Sequence, residues 1–150
     1  MKKIVDYRRL LGVAENAELQ ELKSVYRGLM KTWHPDKFQD SEESKLEAEE
    51  MSKTIIEAYH FLVSIAPETL EKTKAEYTTT TATQAIHDFH YDNQVLYINF
   101  VDGHNYEYFG VPKALYIKMV NAESPARFAR RNIHGTFLYR SAAKIVAGEE

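Results

Sequence analysis

A histidine, a proline and an aspartate stand in succession at His34, Pro35 and Asp36. An imidazole can act as a general base, but only with a nucleophile and an orienting group in reach. No such partners lie beside His34 in the sequence, and the chain has no cysteine. Recognition fits these groups better than catalysis. Asp36 on a stiff loop can accept a bidentate pair of hydrogen bonds from an arginine of another protein. Pro35 lacks an N–H and pushes His34 out of the α region, so a helix arriving from the N-terminal side must stop here. The three groups are thereby expected on a short polar loop open to solvent.

The element that delivers this loop is legible upstream. Leu19, Leu22, Tyr26, Leu29 and Trp33 recur at spacings of three and four, the apolar stripe of an amphipathic helix. Lys23, Arg27 and Lys31 recur at four and form a second stripe, centred about 120° from the first. A later segment from Ser44 to about Ile65 places Ala48, Met51, Ile55, Ala58, Tyr59 and Leu62 on one face. Between Asp40 and Glu57 it carries seven acids against two bases. Two helices of opposite charge joined by a polar turn should pack antiparallel through their apolar stripes. Tyr7, Leu10 and Leu11 would form a short preceding helix that ends at Gly12.

Residues 5–63 resemble the J-domain of the DnaJ family of co-chaperones. The resemblance is carried by Tyr7-Arg-Arg-Leu-Leu-Gly-Val, Glu21-Leu-Lys-Ser-Val-Tyr-Arg-Gly-Leu-Met-Lys, His34-Pro-Asp-Lys and Glu57-Ala-Tyr-His-Phe-Leu. It implies an activity exerted on a partner, namely stimulation of ATP hydrolysis by a DnaK-type heat-shock chaperone. It also implies that Lys23, Tyr26 and Arg27 meet an acidic surface of that ATPase, with Lys31 extending the same stripe. His34, Pro35 and Asp36 would engage near its nucleotide domain and interdomain linker. Ser24, Gly28 and Thr32 stand where the family is often basic, which thins the electrostatic footprint.

The remaining sequence divides at Pro67 to Thr83. Pro67 with Glu68 and Glu71 would start a short helix. The run from Tyr77 through Thr83 lacks helical periodicity and is expected to be a tether or extended lead-in. Beyond it, Ile86 to Tyr91 is an expected opening strand, and Gln94 to Val101 alternates with Leu96, Ile98 and Phe100 on one face. A three-residue Val101-Asp102-Gly103 loop with Gly103 left-handed would set Ile98 opposite Tyr106 and Leu96 opposite Tyr108. Helices are expected after Pro112 and, capped by Ser124, after Pro125, followed by a last strand from Thr136 to Arg140.

This part is similar to the KTSC domain, named for its place at the C-terminus of some lysyl-tRNA synthetases. Tyr91-Asp92, Leu96-Tyr-Ile-Asn-Phe, Gly103, Tyr106 and Tyr108, Val111-Pro112, Tyr116, Ser124, Phe128 and Ile133-His-Gly-Thr-Phe-Leu-Tyr carry the likeness. It implies a fold more than a role.

The organisation expected is therefore an all-α helical hairpin of J-domain type over residues 1–66. A linker with a short helix over 67–84 and a small α+β domain over 85–150 complete it. In the latter, Lys113, Lys118, Arg127, Arg130 and Arg131 come from two adjacent helices and could dock a protein or an RNA. Residues 84–150 hold seven bases and seven acids, which favours protein docking over phosphate binding. The whole chain has 150 residues, 44% hydrophobic and 27% charged, with a net charge of −3, as expected of a globular protein without a global pull toward nucleic acid. Its six histidines lack metal-ligand spacing, so neither metal nor cofactor is expected. No apolar run suits a signal peptide or a membrane span, which points to a cytoplasmic binding protein rather than an enzyme.

Overall fold

The computed structural model describes residues 2–38 and 40–142, and the chain falls into two compact units, Lys2–Glu71 and from Lys72 onward. The C-terminal end of the expected second domain, beyond residue 142, lies outside the described residues.

The first unit holds helices α1 (Lys2–Leu11), α2 (Leu19–Trp33) and α3 (Glu42–Ser64). Gly12 ends α1 with φ at 69°, the left-handed conformation that glycine adopts without penalty. Ser41 opens α3 by accepting the N–H of Ser44 on its hydroxyl. The N-terminus of α2 has no cap from its own neighbour, Glu18. Instead the Glu68 carboxylate, at the start of α4 (Pro67–Thr83), accepts the N–H of Leu19 at 2.9 Å. A carboxylate there satisfies an orphan donor and complements the helix dipole.

The core of this unit is Ile4, Tyr7 and Leu11 of α1, Leu22 of α2, and Ala48, Ile55, Ala58, Phe61 and Leu62 of α3. The helix α3 buries a wider arc than its expected stripe. Phe61 meets Tyr7 edge to face, with centroids 5.3 Å apart, and Ser52 is buried as well. The cause is that α3 packs on both α1 and α2. Met51 and Tyr59, expected on the buried face, are half-buried at its margins.

The second unit is a four-stranded antiparallel meander in the order β1 (Ile86–Asp92), β2 (Val95–Phe100), β3 (Asn105–Phe109), β4 (Leu138–Ser141). Helices α5 (Lys113–Val120) and α6 (Pro125–Asn132) lie between β3 and β4 in the chain. The register of the central hairpin is the expected one, Ile98 facing Tyr106 and Leu96 facing Tyr108, with Gly103 at φ 94°. Pro112 and Ser124 stand at the N-caps of α5 and α6, and the Ser124 hydroxyl accepts from the Arg127 N–H.

The threonine run departs from expectation: it is not an extended tether but the last part of α4. Threonine is a mediocre helix former, and tertiary packing overrides that preference here. Tyr77, Thr80 and Thr81, spaced i, i+3, i+4, are buried in the second unit. The Tyr77 ring stacks on Tyr139 at 3.7 Å and meets Tyr106 at right angles. Thr81 and Thr83 donate their hydroxyls to the carbonyls of Tyr77 and Thr79, which satisfies those groups inside the helix.

A polar ring is sealed into this core. The Tyr77 hydroxyl donates to the His134 carbonyl at 2.8 Å, lies 3.1 Å from the Tyr108 hydroxyl, and that hydroxyl lies 2.8 Å from His134 Nδ1. A phenol has one proton and a carbonyl can only accept. Tyr108 must therefore donate to Tyr77, and His134 Nδ1–H to Tyr108, so the protons run one way round the ring. Burial, reinforced by the positive charge of Arg130, pushes the His134 imidazole down to about 4, which keeps it neutral. Burial likewise pushes the hydroxyls of Tyr77 and Tyr108 well above the usual range. A second cluster sits at the β2–β3 turn. His104 bonds Glu76 through Nε2 and Asp102 through Nδ1, while Thr80 donates to Asp102 at 2.9 Å. The hydrogen bonds from Asp102 and then Glu76 raise the imidazole of His104.

Tyr77→Phe should break two links of the ring, leaving the His134 carbonyl and the Tyr108 proton without their partner. A loss of about 1–3 kcal/mol is expected in denaturant unfolding of the second unit, monitored by near-UV tyrosine signals. The two histidines have opposite signs in acid. Below pH 6.5 the unfolded chain takes up a proton that buried His134 refuses, so its contribution falls by about 2 kcal/mol from pH 7 to pH 5. The stabilisation from His104 is complete below its unfolded pKa and is lost as pH rises through the raised folded value. His134→Gln should flatten the acid decline of the second unit, and His104→Asn should steepen it.

Candidate functional site

Helix α2 stops at Trp33 because His34 takes an extended conformation, φ −60° and ψ 129°, ahead of the proline. The loop then closes as a single 3-10 turn over Pro35–Lys37, in which the Lys37 N–H donates to the His34 carbonyl at 3.0 Å. Two contacts fix its ends. Ser52 of α3 donates its hydroxyl to the Trp33 carbonyl at 2.9 Å, and the Trp33 ring stacks on Phe38 at 5.8 Å. Ser52 escaped the reading of the sequence, although a signal was present. It is a hydroxyl at i+4 from Ala48 and i−3 from Ile55, inside an otherwise apolar face.

Within the turn the Asp36 N–H donates to His34 Nδ1 at 3.3 Å, and that nitrogen lies 3.5 Å from the Asp36 carboxylate. The imidazole side chain is 51% exposed and the carboxylate 82%. Among the described residues no arginine or lysine pairs with Asp36. The backbone is held and the carboxylate is presented, the arrangement needed to accept a guanidinium from outside.

Lys23, Arg27 and Lys31 are exposed along α2, on the helix that ends at this turn. Among the described residues none of the three has an ion-pair partner. Tyr26 is half-buried, because its ring stacks on Tyr59 of α3 at 4.2 Å. It contributes to the hairpin interface as well as to the surface. A Cβ added at Gly28 would meet nothing within 4 Å, so packing does not require a glycine there. It is a gap in the side-chain surface beside the basic stripe.

The five cations expected to dock a partner, Lys113, Lys118, Arg127, Arg130 and Arg131, do not converge. Arg127 and Arg131 line one recess of about 450 Å³ together with Phe128 and Ser124. Lys113 lines a different one, of about 550 Å³, beside the stacked rings of Tyr91 and Tyr116. Arg130 acts electrostatically on the buried His134, and Lys118 is exposed on α5. Tyr77, Tyr106 and Tyr108 are buried in the core, and Tyr91, Tyr116 and Tyr139 are partly buried against it. Among the described residues no group of three or more His, Cys, Asp or Glu side chains could hold a metal ion. Nor is any described helix long and apolar enough to cross a membrane.

Comparison with known proteins agrees with both halves. Residues 6–69 match the DnaJ domain and residues 82–137 the KTSC domain. Over 57 residues, 38% of this chain, it is 44% identical to the Chaperone protein DnaJ of Thermosipho africanus, covering 14% of that protein. It is 49% identical over 57 residues to the Chaperone protein DnaJ of Thermoplasma acidophilum, covering 15% of it. The DnaJ homolog subfamily B member 6 of Gallus gallus is 44% identical over 59 residues, 39% of this chain and 17% of the relative. The chain thus spans less than a fifth of these relatives' length, and the likeness lies in the first unit. With His34 and Asp36 exposed in a turn at the end of a basic helix, these matches show that the chain joins a DnaJ domain to a KTSC domain, in that order.

Proposed function

We propose that this chain is a co-chaperone that binds a DnaK-type heat-shock ATPase and stimulates its ATP hydrolysis, while the KTSC unit docks a client protein. The observation that carries the proposal is Asp36. Its carboxylate is 82% exposed at the tip of a braced turn, below an unpaired stripe of Lys23, Arg27 and Lys31. The stripe speeds encounter with an acidic surface and sets orientation. His34, Pro35 and Asp36 then engage the ATPase, and Tyr26 adds its exposed edge. No bond is made or broken in this chain, which is not itself an enzyme in this reading. The ATPase moves toward its hydrolysing conformation because the turn binds that conformation more tightly. In this reading the protein acts in the cytoplasm.

The test is single-turnover ATP hydrolysis by a DnaK-type protein with the full chain and with Asp36→Asn. The native chain should accelerate hydrolysis, and the variant should lose about tenfold or more of that effect, the loss of a charge-assisted pair. Because Asp36 is solvated, far-UV circular dichroism should be unchanged. Equal stimulation by both proteins would sink the assignment of this turn.

A second reading has one observation in its favour. Arg127 and Arg131, one helical turn apart, line the recess that also holds Phe128, a combination that suits RNA. The neutral balance of the segment weighs against it. If RNA is the ligand, the full chain should shift labelled tRNA in a salt-sensitive manner, and Arg127→Glu with Arg131→Glu should abolish the shift. A null result with the native chain rejects this reading.

A further inference from the structure

The first unit carries a groove of about 640 Å³ that the proposed ATPase contact does not use. Its apolar lining is Leu10 of α1, Trp33 of α2, and Leu46 and Met51 of α3. Leu46 is 58% exposed, unusual for a leucine on a helix that buries so wide an arc. Glu43, Glu47 and Glu50 bank the groove, and among the described residues no lysine or arginine lines it. At 100° per residue these three glutamates fall within about 60° of one another on α3. Glu43 with Glu47 at i+4, and Glu47 with Glu50 at i+3, are like-charge neighbours that destabilise a helix. Among the described residues none of the three has an ion-pair partner. The helix dipole favours Glu43 in the first turn of α3 but does not reach Glu47 and Glu50. Repelling acids beside an exposed leucine are the kind of departure that marks a functional surface.

We propose that this groove binds a short segment of a partner polypeptide that carries leucine-sized side chains flanked by lysine or arginine. The apolar side chain would lie over Leu46, Met51 and Trp33, and the cations would answer Glu43, Glu47 and Glu50. Charge complementarity selects this occupant: an acidic segment would add repulsion to a bank that already repels itself. The partner has the opposite polarity to the one that suits Lys23, Arg27 and Lys31. The groove's ligand and the ATPase are therefore different molecular surfaces, and this inference does not rest on the function proposed above.

Trp33 is the only tryptophan of the chain and lines the groove, so its emission reports occupancy. The full chain is titrated with a short alternating Leu-Lys peptide and, separately, with its Leu-Glu counterpart. A saturable blue shift is expected with the first and none with the second. Leu46→Ser, a change at an exposed position, should weaken binding by about tenfold, the equivalent of one partly buried leucine. Glu43→Gln, Glu47→Gln and Glu50→Gln together should weaken it by a further factor of about ten at low salt and remove its salt dependence. Equal binding of both peptides, or indifference to these substitutions, overturns the proposal. So does a blue shift that grows with protein concentration alone, which would make the occupant a second copy of this chain.

Discussion

A proline cannot extend an α-helix, and Pro35 converts that prohibition into a surface. Because α2 must end at Trp33, the residues that follow turn outward while the preceding ones remain packed on α3. The turn is not left loose. Ser52 holds the Trp33 carbonyl, and Trp33 and Phe38 bracket it with stacked rings. A solvated carboxylate carried on a held backbone results, and the proposed contact with the ATPase depends on it. The helical pair supplies the rigidity, and in the proposed contact the lysines and arginine of α2 would supply the approach.

The second unit solves a different problem, how to bury a small sheet whose apolar face includes several tyrosines beside Leu96, Ile98 and Phe100. Every buried phenol needs a partner for its proton. The ring through Tyr77, Tyr108 and His134 meets that need with three residues from three distant parts of the chain. It ties α4, β3 and the segment after α6 to one another by hydrogen bonds that have no alternative direction. Such a network specifies one arrangement more strongly than an aliphatic core of equal size would.

Most of the architecture was legible from residue spacing. The stripe of α2, the stop before Pro35, the cap at Ser124, the helix start at Pro112 and the register through Gly103 are local rules, and they hold. The stripe of α3 holds at Ala48, Ile55, Ala58 and Leu62 but not at Met51 and Tyr59. Periodicity failed at the threonine run, since threonine counts as polar in a hydrophobic pattern while its methyl group packs like valine's. Tyr77, Thr80 and Thr81 do form a helical stripe, but one of which an apolar count registers only Tyr77. The site divides along the same line. The exposed stripe and turn follow from helical geometry on one element, whereas Ser52 acts across two helices. Grouping Lys113 with Arg127 and Arg131 required knowing where α5 and α6 turn their faces, and spacing along the chain does not carry that information.

The second compact unit begins at Lys72, whereas the likeness to the KTSC domain begins at residue 82. Between those boundaries lie Tyr77, Thr80 and Thr81, all buried in the unit they precede. The stretch shared with relatives is therefore shorter than the piece that folds. Recombination that cut at the shared boundary would sever a phenol from the middle of its own core. A module of this kind is expected to close its core only with the lead-in helix attached, or with some substitute for the ring of Tyr77.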